Sequence, residues 1–171
     1  MRETRLLERA KALAREKHGG HLRKYTGVPY WTHTEAVAEL VATVTDDERI
    51  IAAALLHDTL EDTNTSYGEL ITLFGVAVAT LVYQVTNASM LCPDADRVTK
   101  AAIDRDFLSL ACPAAKTIKL ADVIDNTKSI RAYDPAFAKV YIAEKRALLG
   151  VLKAGDPTLW KMAHANVHKE G

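Results

Sequence analysis

The chain has 171 residues, 49% apolar and 26% charged, which suits one hydrophobic core in a water-soluble domain. Lys plus Arg and Asp plus Glu number 22 each, so no net basic field draws the protein to nucleic acid or to an anionic membrane, and an anionic ligand has to be met by a local basic cluster. The two cysteines, Cys92 and Cys112, make neither a disulfide framework nor a CxxC motif, the opening MRETRLLERAKALAREKH lacks a signal-peptide core, and no apolar run reaches membrane-spanning length, all of which point to a reducing, cytoplasmic setting.

In chain order, Leu6, Leu7, Ala10, Leu13 and Ala14 recur at helical spacing and predict an amphipathic helix over 3–18, stopped by Gly19-Gly20. Residues 19–32 (GGHLRKYTGVPYWT) read as a loop carrying aromatics and two bases. Thr32 or Thr34 is expected to cap a helix at about 33–44, and Asp46 or Asp47 the next, at 48–60, which is apolar all round through IIAAALLHDTL and therefore buried. Thr63-Asn64-Thr65 is a capping turn before helices near 66–74 and 76–88. Residues 89–95 read as a loop, followed by helices at about 96–111 and, opened by Pro113, 113–131. Asp134-Pro135 starts a helix with Phe137, Val140, Tyr141, Leu148, Leu149 and Val151 on its inner face, and Asp156-Pro157 starts the last. No period-two run is long enough for a strand. The expected architecture is all-α, a single compact multi-helix domain over 1–171, with its chemistry in about 21–130 and C-terminal helices over about 134–169. Trp160, Met162 and Val167 cover either the core or a second copy, and the sequence leaves a homo-oligomer open.

Chemistry enters at His57-Asp58, where an acid ends a buried helix. A charged carboxylate there is costly unless paired or metal-bound. Alone, a buried histidine is more often a hydrogen-bonded core residue than a ligand. Glu61 and Asp62 follow one turn on, and positions i, i+1, i+4 and i+5 of a continuous helix form one stripe, so three carboxylates beside an imidazole call for a cation among them. Asp122 is a second acid in an apolar helical run, TIKLADVIDN, with Asn126 on the same face and Asp125 off it. Its plainer explanation is a buried salt bridge from Lys119 or Arg131. His33 directly follows the glycine-rich loop. Two imidazoles and two carboxylates suit a borderline divalent ion such as Mn²⁺, Fe²⁺ or Zn²⁺.

The pattern His33…His57-Asp58…Asp122 is the H…HD…D ligand set of HD phosphohydrolases, and the surrounding words make the resemblance specific. RKYTGVPYWTH at 23–33 resembles the RKxTGxPYxxH segment of the hydrolase domain of RelA/SpoT proteins. AAALLHDTLEDTNTSYGELITLFGVAVATLVYQVTN at 52–87 and KLADVIDN at 119–126 are similar to two further segments of that family, in the same order. In size the chain resembles a stand-alone small alarmone hydrolase of the metazoan SpoT homologue type.

The resemblance implies removal of the 3′-pyrophosphate from guanosine tetra- or pentaphosphate (ppGpp, pppGpp), usually with Mn²⁺. It also implies metal ligation by His33, His57, Asp58 and Asp122, with Glu61 and Asp62 as the catalytic acidic pair. Arg23 and Lys24 match the basic pair that borders the base, and Asn126 the asparagine near the ribose. Lys100, with Arg97 or Arg105, is the expected source of phosphate-site charge. The chain departs from the family at Val123, where a base is common, and at Asp104, which dilutes the charge of 97–105. Tyr25, Tyr30 and Trp31 either line the base pocket or plug the core. The expected partner is a guanine nucleotide or related phosphorylated small molecule, with neither nucleic acid nor membrane involved. Two alternatives stay open here: an HD phosphatase acting on NADPH or other nucleotides, and an inactive nucleotide-binding scaffold.

Overall fold

The structure is a computed structural model and describes residues 4–169. It is helical throughout; among the described residues the one β-bridge pairs Leu22 with Pro29. The chain divides into two compact units, one ending at Thr86 and the other beginning at Asn87.

The first unit holds α1 (Arg5–Lys17), α2 (Trp31–Ala42), α3 (Glu48–Leu56), α4 (Thr59–Asp62), α5 (Tyr67–Phe74) and α6 (Val76–Val85). Residue 3, the expected start of the first helix, lies outside the described residues. α3 is the centre, packed by α1, α2 and α6. Ala52, Ala53, Ala54 and Leu56 are wholly buried, and the three small side chains let neighbouring helices approach on several sides. Leu7, Ala10 and Ala14 of α1 and Val37 and Val41 of α2 supply the facing apolar stripes.

Local signals fix most helix starts. Asp47 Oδ1 accepts the Arg49 amide at 3.0 Å to cap α3, and Ser66 Oγ accepts the Glu69 amide at 3.1 Å to cap α5. Neither Thr32 nor Thr34 caps α2. Their hydroxyls donate back to Pro29 O and Trp31 O, and the helix starts two residues earlier than expected, straight out of the turn at Pro29-Tyr30.

The helix expected over 48–60 is broken after Leu56. The His57 amide reaches Ala54 O only at 3.5 Å, the His57 ring takes the same carbonyl at 2.8 Å, and the Thr59 hydroxyl takes Leu56 O at 2.7 Å. Side chains thus claim carbonyls that a continuing helix would use, and Asp58 turns to φ −97°, ψ 0°. The continuous stripe of acids expected beyond His57 is therefore replaced by one separate turn, α4, carrying Glu61 and Asp62.

The second unit holds a 3₁₀ turn (Ala88–Leu91), α7 (Arg97–Ser109), α8 (Pro113–Tyr133), α9 (Pro135–Leu149) and α10 (Pro157–His168). The 3₁₀ turn stands where a loop was expected, because Asp104 of α7 accepts both the amide and the hydroxyl of Ser89 at 2.8 and 2.9 Å. Three of the four α-helices carry Pro in the first turn, and Asp96, Asp134 and Asp156 cap α7, α9 and α10. α8 is the core helix, buried from Ala115 to Ile124 with α9 and α10 against it. Gly155 lets the turn before α10 touch it: a Cβ there would lie 2.8 Å from Leu120 Cδ1 and 3.1 Å from α8 backbone. Tyr141, Leu148 and Leu149 of α9 are buried as expected, but Val140 faces solvent, a hundred-degree step from Tyr141, and the buried position past the helix is Leu152, not Val151. On α10, Leu159, Ala163 and Val167 form the buried stripe, while Met162 is exposed.

Candidate metal centre

Three of the four expected ligands meet in the first unit. One donor atom each from His33, His57 and Asp58 lies within 4.8 Å of the others. His33 Nε2 is 3.7 Å and His57 Nε2 3.1 Å from Asp58 Oδ2, and both imidazoles are buried.

Local chemistry aims each group. His57 sits at the end of α3 with Nδ1 donating to Ala54 O, so the proton is held on that nitrogen and Nε2 turns its lone pair toward Asp58. His33 is carried by the first turns of α2, whose entry is set by a tight turn. Gly27 adopts φ +69°, a left-handed conformation that a side chain would disfavour, and its amide closes on Arg23 O at 2.9 Å. Arg23 N to Val28 O and Tyr30 N to His21 O extend the same turn. Tyr30, at its exit, donates its hydroxyl to Asp58 Oδ2 at 2.7 Å and fixes that carboxylate. An imidazole lone pair 3.1 Å from a carboxylate oxygen is repulsive unless positive charge lies between them. Two buried imidazole nitrogens and an oriented carboxylate oxygen fit a borderline divalent cation, held the way outer hydrogen bonds usually orient metal ligands.

His18 is a neighbour that the sequence reading passed over. It is wholly buried just past α1, its ring centroid 5.0 Å from that of Tyr30 and its Nδ1 3.3 Å from His21 Nδ1. Burial lowers its pKa; Asp58 opposes this, while His21, His57 and His33 add to it. Nothing but two histidines around Gly19-Gly20 marks it in the sequence, since its contact with Tyr30 joins segments far apart in the chain.

Glu61 is half-buried and Asp62 exposed, both on α4. Arg23 and Lys24 lie beside aromatic rings of the same turn, Arg23 5.9 Å from the Tyr30 centroid and Lys24 5.1 Å from that of Tyr25. Trp31 is covered instead by Arg15, 4.4 Å from its centroid.

In the second unit Asp122 is buried on α8. Asn126 Nδ2 donates to its Oδ1 at 2.7 Å, which verifies the shared face, and Lys119 Nζ lies 2.8 Å from its Oδ2. The plainer salt-bridge explanation thus holds in part. Lys100 donates to Pro93 O at 2.8 Å, and Arg97 is clamped by Glu144 at 2.6 and 2.9 Å. Arg97 is therefore engaged by a carboxylate, whereas Arg105 has no carboxylate partner among the described residues. Among the described residues neither Cys92 nor Cys112 forms a disulfide. Among the described residues no helix is long and apolar enough to cross a membrane.

A family model described as an HD domain matches residues 10–148. An Aquifex aeolicus protein named guanosine-3′,5′-bis(diphosphate) 3′-pyrophosphohydrolase is 41% identical over 127 residues, 72% of this chain but 18% of its own length. The chain thus spans under a fifth of that relative. A Danio rerio protein of the same name, MESH1, is 38% identical over 126 residues, 71% of this chain and 67% of that protein. A solved structure described as a metazoan ortholog of SpoT that hydrolyzes ppGpp superposes with a TM-score of 0.87 at 24% identity, covering 97% of this chain and 96% of the other, and shares the fold. The chain belongs to the HD domain family, among the homologues of the RelA/SpoT hydrolase domain.

Proposed function

We propose that this chain is a metal-dependent phosphohydrolase that removes the 3′-pyrophosphate from guanosine 3′,5′-bis(diphosphate). The observation that carries the reading is the His33, His57 and Asp58 cluster, with the His57 proton set by Ala54 and the Asp58 carboxylate by Tyr30. Kinship to the Aquifex and Danio proteins names the reaction. His33, His57 and Asp58 would hold the metal, Mn²⁺ in this reading. Asp122 is proposed as the fourth ligand on the strength of the HD motif. The reading treats 1–171 as one cytoplasmic HD domain, supported by a family match that runs from 10 to 148.

The bound metal would supply Lewis-acid charge and lower the pKa of a water. The chain's own groups do the rest. Glu61 accepts the proton of the attacking water, with Asp62 beside it on the same turn to orient that water. A P–O bond forms to the water oxygen, the bond from phosphorus to the 3′ oxygen breaks, and the proton is returned to the 3′ oxygen. The products are GDP and pyrophosphate. Arg23, Lys24 and Asn126 are assigned to base and ribose, and Lys100 to phosphate charge.

Turnover of ppGpp with Mn²⁺ tests the reading, with NADPH and nucleoside monophosphates in parallel. Chelator-sensitive release of pyrophosphate from ppGpp is expected. His57→Ala should lose both bound metal and turnover, whereas Glu61→Gln should keep the metal and lose roughly a hundredfold or more in rate. Release of phosphate from NADPH alone would replace the substrate, and an active His57→Ala protein would overturn the site.

A further inference from the structure

The second unit contains a cavity of about 420 Å³ whose lining includes Arg97, Lys100, Arg105, Lys119 and Lys145 against only two carboxylates, Asp104 and Glu144. The other charges in it are largely spoken for. Glu144 holds Arg97 with two hydrogen bonds, Asp104 holds Ser89, and Lys119 pairs with Asp122.

Lys145 is different. It projects from α9 into the cavity and is half-buried, yet among the described residues its ammonium makes no hydrogen bond and no ion pair. Its close partner is the face of Tyr141, 4.9 Å from Nζ. A partly desolvated cation with no carboxylate in direct contact is costly, and removing it or pairing it relieves that cost. The cost is visible in its acidity. Burial first, then repulsion from Lys119, lowers its pKa to about 8, against the opposing pull of Asp122, Glu144 and Asp104. An anion in the cavity would supply the missing charge, and a phosphoryl group brings acceptor oxygens for Lys145 and Arg105 together.

We propose that Lys145 is a specificity-determining residue that binds a phosphoryl group of the nucleotide in this cavity, with Arg105 as its partner, so that the pocket selects polyphosphorylated ligands. The proposal rests on the reading that the chain acts on a phosphorylated nucleotide, and names a residue for which the HD motifs give no signal.

The test is calorimetric binding of inorganic pyrophosphate to the full chain in excess chelator, which removes any metal as the anion receptor. Wild type should bind at pH 7 and weaken between pH 7 and 9, as Lys145 loses its proton. Lys145→Met should weaken binding tenfold or more and lose that pH step, whereas Lys145→Arg should keep binding within a few-fold and show no step there. Equal affinity in Lys145→Met, or no pyrophosphate binding by wild type, overturns the proposal. The two readings fail separately. Lys145-dependent binding without ppGpp turnover leaves the anion site and removes the proposed reaction. Turnover with a KM for ppGpp unchanged in Lys145→Met leaves the reaction and removes this role. Should Lys145→Met not fold, the loss of the pH step in Lys145→Arg decides the matter alone.

Discussion

His18 shows how much of the centre's order comes from groups that are not ligands. It fills the space behind Tyr30, the residue that orients Asp58, and does so as a neutral ring. Its folded pKa is depressed, so as pH falls through its ordinary value of 6.5 the unfolded chain takes a proton that the folded chain refuses. Stability is therefore lost on acidification below that point. His18→Phe keeps an aromatic ring and removes this proton. The stability lost between pH 7 and 5.5 in urea unfolding should be smaller in the variant by up to about 1 kcal/mol. Equal losses in both proteins would show that His18 is protonated in the fold. His57 and Asp58 were legible because a histidine–aspartate pair at the end of an apolar helix is chemically odd within one short word, whereas His33 was legible only through the motif it completes. His18 and the Tyr30–Asp58 hydrogen bond were not, because each is made between segments whose approach no local pattern encodes.

Helix starts were the most legible elements, since a cap is made of residues adjacent in sequence. Asp47, Asp134 and Asp156 all cap where an acid before an apolar run, with or without proline, says they should. The expectation failed where side chains compete for main-chain carbonyls. The His57 ring and the Thr59 hydroxyl end α3, and the Thr32 and Thr34 hydroxyls point backward rather than cap α2. Helical periodicity cannot see either, because it counts positions and not hydrogen-bond acceptors. The break after Leu56 has a chemical use: it frees the His57 ring to bond Ala54 O and keep its second nitrogen directed at Asp58. Asp156 permits a direct test of capping. One carboxylate oxygen accepts both the Thr158 and Leu159 amides, and α10 presses Leu159, Ala163 and Val167 into the core. Asp156→Ala should cost about 1–2 kcal/mol in denaturant unfolding, with Asp156→Asn recovering most of it. An unchanged midpoint would mean that water serves these amides equally well.

Over the whole chain, positive and negative groups balance, so the net charge says little about where the protein carries unpaired charge. Lys145 does. Its folded pKa lies near 8, below the ordinary 10.5, so between those values the unfolded chain holds a proton that the folded chain has released. Stability from this group therefore rises as pH climbs through that window and is lowest below pH 8, where the half-buried ammonium is charged. The slope is bounded by about 1.4 kcal/mol per pH unit for a single proton, and partial exposure of the side chain makes it smaller. Lys145→Met removes the charge and keeps the bulk. At pH 7 without anions it should unfold at higher urea than wild type, and the gap should narrow toward pH 9.5 as the wild-type ammonium deprotonates. Pyrophosphate should narrow the same gap at pH 7 by stabilising wild type alone, because a ligand that binds only the folded state raises its stability. A variant less stable than wild type at pH 7 would mean that the ammonium is already compensated in the fold, and that the cavity is not waiting for an anion.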